Sequence, residues 1–259
     1  YVKTYDKTFA RTIVFQKTYG ITKNVYVMNN DASRVGELNY NSGEHILFED
    51  ENVTYVGKAT LSNNNKTLHL KDMPADKWLS DNTFCGYITN DAGEVNPSHY
   101  TRDVLGQYVV ITKGTGAGQY REITSVSADR YVTISTDWDV QPDESSTFVV
   151  VSPVINPIIY NNSIEGPKMY YKNFNSTLGV QAYSTMLGTI IDRNNFSQMQ
   201  AGLCMNTRYN AKTYTYNNST VKVDFGFVMF ADMLVMGNTI SNTRYGIWNY
   251  PSITLDAID

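Results

Sequence analysis

The stretch that decides the fold is Ile158-Ile159-Tyr160-Asn161-Asn162-Ser163-Ile164, because the chain repeats its pattern twice more. The second copy is Ile190-Ile191-Asp192-Arg193-Asn194-Asn195-Phe196, and the third is Leu234-Val235-Met236-Gly237-Asn238-Thr239-Ile240. Each copy has two apolar residues, two variable ones, an Asn, another variable residue and an apolar one. This recurrence predicts stacked short strands in which each copy buries its apolar positions against the next.

The Asn shared by the three copies occupies positions Asn162, Asn194 and Asn238. A buried polar side chain is stable only when its donors and acceptors are paired. In a stack with strands about 4.8 Å apart, each amide lies above the next, so it donates to one neighbour and accepts from the other. We therefore expect the three amides to form a single column at one bend of the stack.

Glycines accompany the copies at a spacing close to one coil of such a stack. Gly202 and Gly246 each follow an Asn of the repeat by eight residues, and Gly179 and Gly226 precede the second and third copies. These four glycines are separated by 23, 24 and 20 residues. We expect each of them to occupy the same place in successive coils.

The repeats resemble those of right-handed parallel β-helix proteins of the pectate-lyase-like superfamily, which includes bacterial polysaccharide-acting enzymes and phage tailspikes. The resemblance covers residues 154–259 and, more weakly, residues 1–50. In the weaker region, the stretch Asn24-Val25-Tyr26-Val27-Met28-Asn29-Asn30 is similar to a further copy. The resemblance implies a right-handed parallel β-helix in a protein that engages polysaccharide.

The middle of the chain has a different texture. Alternating strand-like stretches, such as Tyr108–Thr112 and Thr147–Val151, are separated by turn-forming residues that include the run Gly114–Gly118. This pattern predicts a small antiparallel β-barrel or sandwich inserted into the β-helix, with the glycine run as a hairpin turn. The stretches Gly114–Ile123 and Asp137–Ser146 resemble a β-module that recurs in bacterial and phage β-helix proteins.

The predicted fold class is therefore all-β, a right-handed parallel β-helix interrupted by a small antiparallel β-domain. We expect a first β-helix segment at residues 1–52, the inserted β-barrel-like domain at residues 53–152 and a second β-helix segment at residues 153–259. We interpret the chain, which starts at Tyr1, as a piece of a longer protein.

Composition limits the partners. The net charge of −4, from 21 Lys and Arg against 25 Asp and Glu, leaves no broad cationic surface, so we predict no nucleic-acid partner. Apolar runs such as Phe148–Val151 are far shorter than the ~20 residues of a spanning helix, so we predict no membrane insertion. Two distant cysteines and three scattered histidines form no ligand motif, so we predict no metal and no cofactor.

Carboxylates and cations on the coils are the candidates for catalysis. Glycoside hydrolysis needs two carboxyl groups across the scissile bond, whereas β-elimination from uronic acids needs a base and a cation that neutralises the carboxylate. The clustered aspartates of β-helix galacturonidases and the acidic calcium cluster of pectate lyases are absent from the sequence. The candidate catalytic residues are Asp192, Arg193, Asp224, Asp232 and Glu165.

Sugar binding requires aromatic faces that stack on C–H groups and amides that bond hydroxyls, and the chain has 20 Tyr, 10 Phe and 3 Trp. The stretch Asn210–Asn218 has no counterpart between the first two copies, so we expect it to protrude as a loop or hairpin that contacts the ligand. The candidate ligand-binding residues are Tyr209, Tyr214, Tyr216, Tyr245 and Trp248.

The leading hypothesis is a secreted or surface-displayed module that binds or presents polysaccharide outside a cell or on a virion. One alternative is a polysaccharide lyase, glycoside hydrolase or epimerase. Another is a structural component of a phage or surface fibre, in which a homotrimer interface would bury the aromatic residues.

Overall fold

The computed structural model describes residues 12–16, 21–33, 43–49, 53–61, 65–71, 83–89, 95–127, 129–166, 177–182, 185–216, 219–228 and 230–251. Side chains are described for fewer residues, and not for 83–103 or 205–231. The described portion is all-β, as predicted, with parallel and antiparallel sheets. It holds no helix that is long and apolar enough to cross a membrane.

Four parallel sheets consist mostly of short strands. Sheet 1 contains β2 (Thr22–Lys23), β15 (Val154–Ile155), β19 (Met186–Leu187) and β24 (Phe230–Ala231). Sheet 2 contains β3 (Tyr26–Met28), β16 (Ile158–Tyr160), β20 (Ile190–Asp192) and β25 (Leu234–Met236). Sheet 3 contains β4 (Asp31–Ser33), β17 (Ser163–Glu165), β21 (Asn195–Ser197) and β26 (Thr239–Ser241). Sheet 4 contains β1 (Ile13–Gln16), β5 (Glu44–Glu49), β18 (Leu178–Ala182), β22 (Ala201–Tyr216) and β27 (Tyr245–Pro251).

The chain visits sheets 1, 2, 3 and 4 in this order four times, and we call each visit a pass. Pass 1 runs from β2 to β5, pass 2 from β15 to β18, pass 3 from β19 to β22 and pass 4 from β24 to β27. In sheet 2, Ile159 pairs with Ile191 and Ile191 with Val235. The three predicted copies therefore lie in register, and Val27 extends the row into pass 1.

The core of the parallel sheets consists of the middle residues of the short strands. Val27, Ile159 and Ile191 of sheet 2 are buried, as are Ile164 and Phe196 of sheet 3. They belong to one apolar cluster. Because side chains alternate along a strand, the residues on either side of each buried one point away from this core.

Residues with left-handed backbone mark two bends of every pass. The set between sheets 1 and 2 has φ values of 51–66°, and the set between sheets 2 and 3 has values of 52–63°. Asn, Asp and Gly adopt this conformation at least cost, which explains why seven of the eight residues at these bends are of these three types. The first set is Asn24, Asn156, Gly188 and Asp232, and the second is Asn29, Asn161, Arg193 and Gly237.

Nine described strands that pair antiparallel, β6 to β14, lie between β5 and β15 in the sequence. They form a seven-stranded half-barrel in the order β6-β14-β11-β12-β13-β8-β7 and a separate pair, β9 with β10. The half-barrel has its own apolar cluster, which includes Leu68, Ile111, Trp138 and Phe148. The strands are β6 (Val53–Gly57), β7 (Ala59–Leu61), β8 (Thr67–Leu70), β9 (Thr83–Thr89), β10 (Val95–Asp103), β11 (Tyr108–Lys113), β12 (Tyr120–Ser127), β13 (Tyr131–Ile134) and β14 (Thr147–Val151).

The antiparallel strands fall within the segment predicted as the insertion, while the domain boundaries themselves stay a prediction. The glycine run is a hairpin turn, as predicted, because β11 and β12 pair antiparallel on either side of it. Gly114, Gly116 and Gly118 in this turn have positive φ, which side chains rarely tolerate.

One of the four glycines predicted to recur in successive coils is not placed as expected. Gly179, Gly202 and Gly246 lie in register in sheet 4, but Gly226 lies in β23 (Ser219–Val228), which pairs antiparallel with β22. The spacing of the glycines was misleading, because the hairpin of β22 and β23 is an addition to pass 3 and Gly226 lies within it. The hairpin itself confirms the prediction for the stretch Asn210–Asn218.

Candidate ligand-binding site

A column of asparagines holds the bend between sheets 2 and 3. Nδ2 of Asn162 donates to Oδ1 of Asn194 at 2.8 Å, and Nδ2 of Asn194 donates to Oδ1 of Asn238 at 2.9 Å. Asn162 and Asn194 are each only 1% exposed. The predicted column is confirmed, and Asn30, whose Nδ2 lies 2.8 Å from Oδ1 of Asn162, extends it to pass 1.

Backbone groups complete the column. The N–H of Asn162 and the N–H of Asn194 donate to the Oδ1 of the following Asn at 3.0 and 2.9 Å. The second proton on Nδ2 of Asn194 reaches the carbonyl of Ile159 in the preceding pass at 2.9 Å. Each amide is thus hydrogen-bonded to the passes on both sides. These bonds hold the bend in place, and with it the outward-facing residues that precede the bend.

Eight residues point outward from sheet 2, and we call them the outer face of sheet 2. They form two rows, each with one residue from every pass, in the register of the strand pairs. Several are apolar and exposed, including Tyr26 at 61% and Leu234 at 50%. Exposed apolar residues that adjoin one another mark interaction surfaces more often than scattered ones do. The first row is Tyr26, Ile158, Ile190 and Leu234, and the second is Met28, Tyr160, Asp192 and Met236.

The second row contains three polar groups in contact, which we call the Tyr160–Arg193 cluster: Tyr160, Asp192 and Arg193. Nη1 of Arg193 donates to the hydroxyl of Tyr160 at 3.1 Å, and the guanidinium carbon lies 5.7 Å from the centre of the Tyr160 ring. Nε of Arg193 lies 3.5 Å from Oδ2 of Asp192. Met28 and Met236 occupy the ends of this row.

Arg193 occupies a backbone position that disfavours it. Its φ is 55°, and the equivalent residues are Asn29, Asn161 and Gly237. A left-handed conformation costs a residue with a long side chain on the order of 1 kcal/mol. Among these equivalent residues, Nδ2 of Asn161 donates to Oδ1 of Asn29 at 2.8 Å. An Asn at position 193 could extend this pairing, whereas Arg193 cannot. Strain retained at an exposed position indicates a role for the guanidinium.

Asp192 presents one uncommitted oxygen. Oδ2 faces Arg193, whereas Oδ1 is buried and has no hydrogen-bond partner within the described portion of the chain. A Cβ added at Gly237 would lie 2.7 Å from this oxygen, so the glycine leaves room beside it. Because Oδ1 is buried, the groups that the cluster presents at the surface are the guanidinium of Arg193 and the ring and hydroxyl of Tyr160. No contact among the described residues brings a second carboxylate to Asp192.

The other predicted catalytic residues lie on different elements. Glu165 is in β17 of sheet 3, and Asp224 is in β23, where side chains are not described. Asp232 lies at the bend between sheets 1 and 2 and bonds to the hydroxyl of Tyr120. Burial and this contact raise the pKa of Tyr120 to about 12. Among the four of these residues whose side chains are described, only Asp192 and Arg193 contact each other.

A polar seam joins sheet 1 to the antiparallel half-barrel near Asp232. Nζ of Lys23 lies 3.0 Å from both carboxylate oxygens of Glu122, and the hydroxyl of Tyr108 donates to Glu122 at 3.1 Å. The hydrogen bond from Lys23 is the main reason that the pKa of Glu122 is lowered. These contacts connect sheet 1 to the half-barrel. The charges of Lys23 and Glu122 are therefore paired with each other.

The predicted aromatic binders divide into two groups. Tyr245 and Trp248 of β27 stack with ring centres 5.3 Å apart and planes at 20°, and the guanidinium of Arg244 lies 5.3 Å from the centre of the Tyr245 ring. Trp248 also packs against buried Cys204. The remaining group, Tyr209, Tyr214 and Tyr216, lies in the portion of β22 that extends toward the hairpin, where side chains are not described.

Tyr160 is the residue that the sequence analysis did not propose as a binder. It occupies the same position of the repeat as Asp192, and that equivalence was the available signal.

Within the described portion of the chain, no group of three or more His, Cys, Asp or Glu residues is placed to hold a metal ion. Neither a protein-family model, nor a curated protein, nor a solved structure matches this chain.

Proposed function

We propose that the four passes are coils of a right-handed parallel β-helix like those of the pectate-lyase-like superfamily, and that the outer face of sheet 2 binds an extended glycan. The recurring order of the four sheets supports the β-helix, as does the in-register column of asparagines. The inserted domain at residues 53–152 belongs to the same proposal, because its strands form a separate sheet with a separate core.

The Tyr160–Arg193 cluster is the observation that carries the glycan proposal. Sugars present C–H faces to aromatic and apolar side chains, and they present hydroxyls to charged and amide groups. Tyr160 and the flanking Met28 and Met236 supply the apolar contacts, while the guanidinium of Arg193 and the hydroxyl of Tyr160 supply the polar contacts. A polymer that follows the stack would cross one strand about every 4.8 Å and meet the same row in each coil.

Binding is favoured over cleavage by the single carboxylate of the cluster. Hydrolysis of a glycosidic bond requires a pair of carboxyl groups about 5–9.5 Å apart. Oδ2 of Asp192 lies 3.5 Å from Nε of Arg193, and the Arg193 side chain is 65% exposed whereas the Asp192 side chain is only 14% exposed. The guanidinium is therefore available to a ligand. A polysaccharide ligand places the protein outside a cell or on the surface of a cell or virion.

Affinity electrophoresis in gels containing neutral or acidic polysaccharides tests the proposal. We expect at least one polysaccharide to retard the protein. The key variant is Arg193→Asn, since Asn suits a φ of 55° and can pair with Asn161 as Asn29 does. We expect this variant to keep or raise the thermal midpoint and to weaken binding at least tenfold. Loss of binding without loss of stability separates a ligand contact from a structural role.

Arg244→Asn is the matched control, because Arg244 lies over Tyr245 on β27. We expect this variant to bind normally. If Arg244→Asn weakens binding and Arg193→Asn does not, the site is the stacked pair Tyr245 and Trp248. New reducing ends or unsaturated products in the same mixtures would show an enzyme instead of a binding module.

A fibre component is the second candidate, and the first row of the outer face favours it. Tyr26 and Leu234 are exposed at the two ends of a row whose middle members are isoleucines. Other copies of the chain in a homotrimer would cover such a row. Light scattering distinguishes the two functions. The glycan proposal expects a monomer, whereas a stable trimer that Leu234→Lys dissociates would support the fibre.

A further inference from the structure

The half-barrel carries a cavity of about 380 Å³ beside the β7–β8 hairpin, which we call the hairpin cavity. It is lined by residues 58–61 at β7, by Lys71 just after β8 and by the loop that precedes β14. Leu61 and Pro142 give part of this lining an apolar character. The volume falls within the range of about 300–1,000 Å³ that is usual for pockets that bind small ligands.

Two lysines line the hairpin cavity from neighbouring strands. Lys58 precedes Ala59 and Lys71 follows Leu70, and Ala59 pairs with Leu70. The antiparallel register therefore continues to a position where the two lysines lie opposite each other. Like charges that are directly opposed destabilise a sheet. A pair of this kind beside a cavity indicates that an anionic group is bound there.

The two lysines differ in what their donors contact. Nζ of Lys58 donates to the carbonyls of Glu144, Ser145 and Ser146 at 3.1, 3.1 and 3.0 Å. An ammonium has three N–H donors, so Lys58 holds the loop against β7 with all of them. Lys71 is exposed, and its ammonium has no hydrogen-bond or ion-pair partner among the described residues. Lys71 is therefore the lysine whose donors remain for a ligand.

The two carboxylates at the hairpin cavity also differ. Oδ1 of Asp143 accepts from the N–H of Ser145 at 2.8 Å, and Oδ2 accepts from the hydroxyl of Thr115 at 2.7 Å. Hydrogen bonds from Ser145 and Thr115 lower the pKa of Asp143, so its charge serves the loop. Glu144 and Thr60 are exposed, and their side chains have no partner within the described part of the chain. They can accept from and donate to the hydroxyls of a ligand.

An aromatic ring lies next to this set of groups. His69 pairs in register with Thr60 on one side and with Tyr131 on the other. Its ring stacks on Tyr131 with centres 4.6 Å apart, and the small Thr60 leaves room beside the opposite face. Burial lowers the pKa of His69, and the charges of Arg130 and Lys71 lower it further, so the ring is neutral at pH 7. A neutral ring face suits the C–H groups of a ligand.

We propose that the hairpin cavity binds an acidic sugar, a sugar ring that carries one carboxylate or phosphate group. The acid group contacts Nζ of Lys71, and the ring hydroxyls contact Glu144 and Thr60. The C–H groups of the ring face Leu61 and Pro142. A small inorganic anion would use Lys71 alone, and a neutral sugar would leave its charge unpaired. The proposal rests on the half-barrel and not on the outer face of sheet 2.

Isothermal titration calorimetry of the full chain with glucuronate and with glucose 6-phosphate tests the proposal. We expect at least one of these acidic sugars to bind saturably, and the tighter one identifies the acid group that Lys71 prefers. Glucose is the neutral control, while acetate and inorganic phosphate are the controls without a sugar ring. We expect each control to bind at least tenfold more weakly than the preferred acidic sugar.

Variants of the protein locate the binding. Lys71→Met removes the charge, and Thr60→Tyr fills the space beside it, so each should weaken binding of the acidic sugar at least fivefold. Lys66→Met is the matched control, because Lys66 lies at the other end of β8, where it pairs with Asp137 at 3.6 Å. Thermal unfolding checks that all three variants fold. Two cavity variants at exposed positions keep the test decisive if one of them does not fold.

Three results would overturn the proposal. The first is no saturable binding of either acidic sugar. The second is a control ligand that binds as tightly as the acidic sugars, because the acid group or the ring would then not be recognised. The third is binding that Lys66→Met weakens as much as Lys71→Met, or that neither cavity variant weakens. Polysaccharide retardation in gels is a separate readout of other residues, so the two proposals fail separately.

Discussion

Asn194 in the parallel sheets and Gln119 in the antiparallel half-barrel are both amides that close a bend, but they bind partners at very different distances in sequence. Nε2 of Gln119 donates to the carbonyls of Gly116 and Val140 at 3.1 and 2.7 Å. Its Oε1 accepts from the N–H of Asp139 at 2.7 Å. These partners lie 3 to 21 residues away, whereas the amide partners of Asn194 lie 32 and 44 residues away.

The difference shows how each region acquires its stability. The turn around Gln119 closes on groups of its own hairpin and of the facing loop, so it needs no other region of the fold. The bend at Asn194 is satisfied only when the passes on both sides are in place. Each pass of the parallel sheets therefore depends on its neighbours, as expected of stacked repeats. Substitutions in the two regions should differ in size and in additivity.

The largest expected effect is that of Asn194→Leu. The N–H and Nδ2 of Asn162 both donate to Oδ1 of Asn194 and would be left buried without an acceptor. We expect the free energy of unfolding to fall by about 3–5 kcal/mol. Gln119→Leu should cost only about 1 kcal/mol, because water can reach the exposed turn. Urea denaturation measures both changes.

Additivity sharpens this test. Asn162→Leu combined with Asn194→Leu should cost less than the sum of the single changes, because the two residues share hydrogen bonds. Asn194→Leu combined with Gln119→Leu should be additive. Equal losses for Asn194→Leu and Gln119→Leu would contradict the distinction between a bend that needs its neighbours and a turn that does not.

A smaller effect is expected from Gly114→Ala in the antiparallel half-barrel. Gly114 has a φ of 79°, and an added Cβ would overlap the backbone carbonyl of Ser145. We expect a loss of about 3 kcal/mol, from strain and displacement of the facing loop. Gly118→Ala is the control, because Gly118 has a φ of 95° but open space around it. Its loss should be about 1 kcal/mol, and equal thermal midpoints for the two variants would refute the steric argument.

Acid should weaken the parallel sheets before the half-barrel. His45 in β5 is fully buried, and burial lowers its pKa to about 3. The unfolded chain binds a proton below about pH 6.5, while the folded chain does not until about pH 3, so stability falls as the pH drops between these values. The expected loss at pH 5 is about 2 kcal/mol.

Hydrogen exchange read by mass spectrometry at pH 7 and pH 5, corrected for intrinsic rates, measures where this loss occurs. We expect loss of protection in β5 and β18. The pKa of His69 in β8 is also lowered, chiefly by burial, but this side chain is only partly buried, so the half-barrel should lose less protection at pH 5 than β5 and β18 do. The carboxylate of Glu122, whose pKa is lowered by the hydrogen bond from Lys23, contributes stability that is lost only at lower pH. His45→Gln should remove the difference. Equal loss in both regions would show that another group is responsible.

The confirmed predictions about the parallel sheets rest on the repeated pattern. The copies around Asn162, Asn194 and Asn238 have the same apolar pattern, and stacking is the arrangement that buries all of these positions together. Their register and the column of amides follow from that single requirement. The hairpin in the stretch Asn210–Asn218 follows as well, because an addition to one copy has no place within the stack.

The predictions that were wrong or incomplete concern residues without such a constraint. Gly226 matched the spacing but lies in an antiparallel hairpin, since a spacing alone does not distinguish a coil from an addition to it. Asn30 was not recognised as a member of the column, because the stretch interpreted as a further copy ended at Asn30, although residues 26–32 follow the pattern of the other copies. The catalytic roles of Asp224, Asp232 and Glu165 stay a prediction, and these residues lie on separate elements.

The sequence by itself determined that this chain is all-β and that three asparagines share one bend, because burial of a repeated apolar pattern allows few alternatives. Only the tertiary structure decided that Arg193 meets Tyr160 and that Asp192 turns one carboxylate oxygen into the fold. These features depend on which residues of distant passes become neighbours, and no local pattern in the chain specifies that.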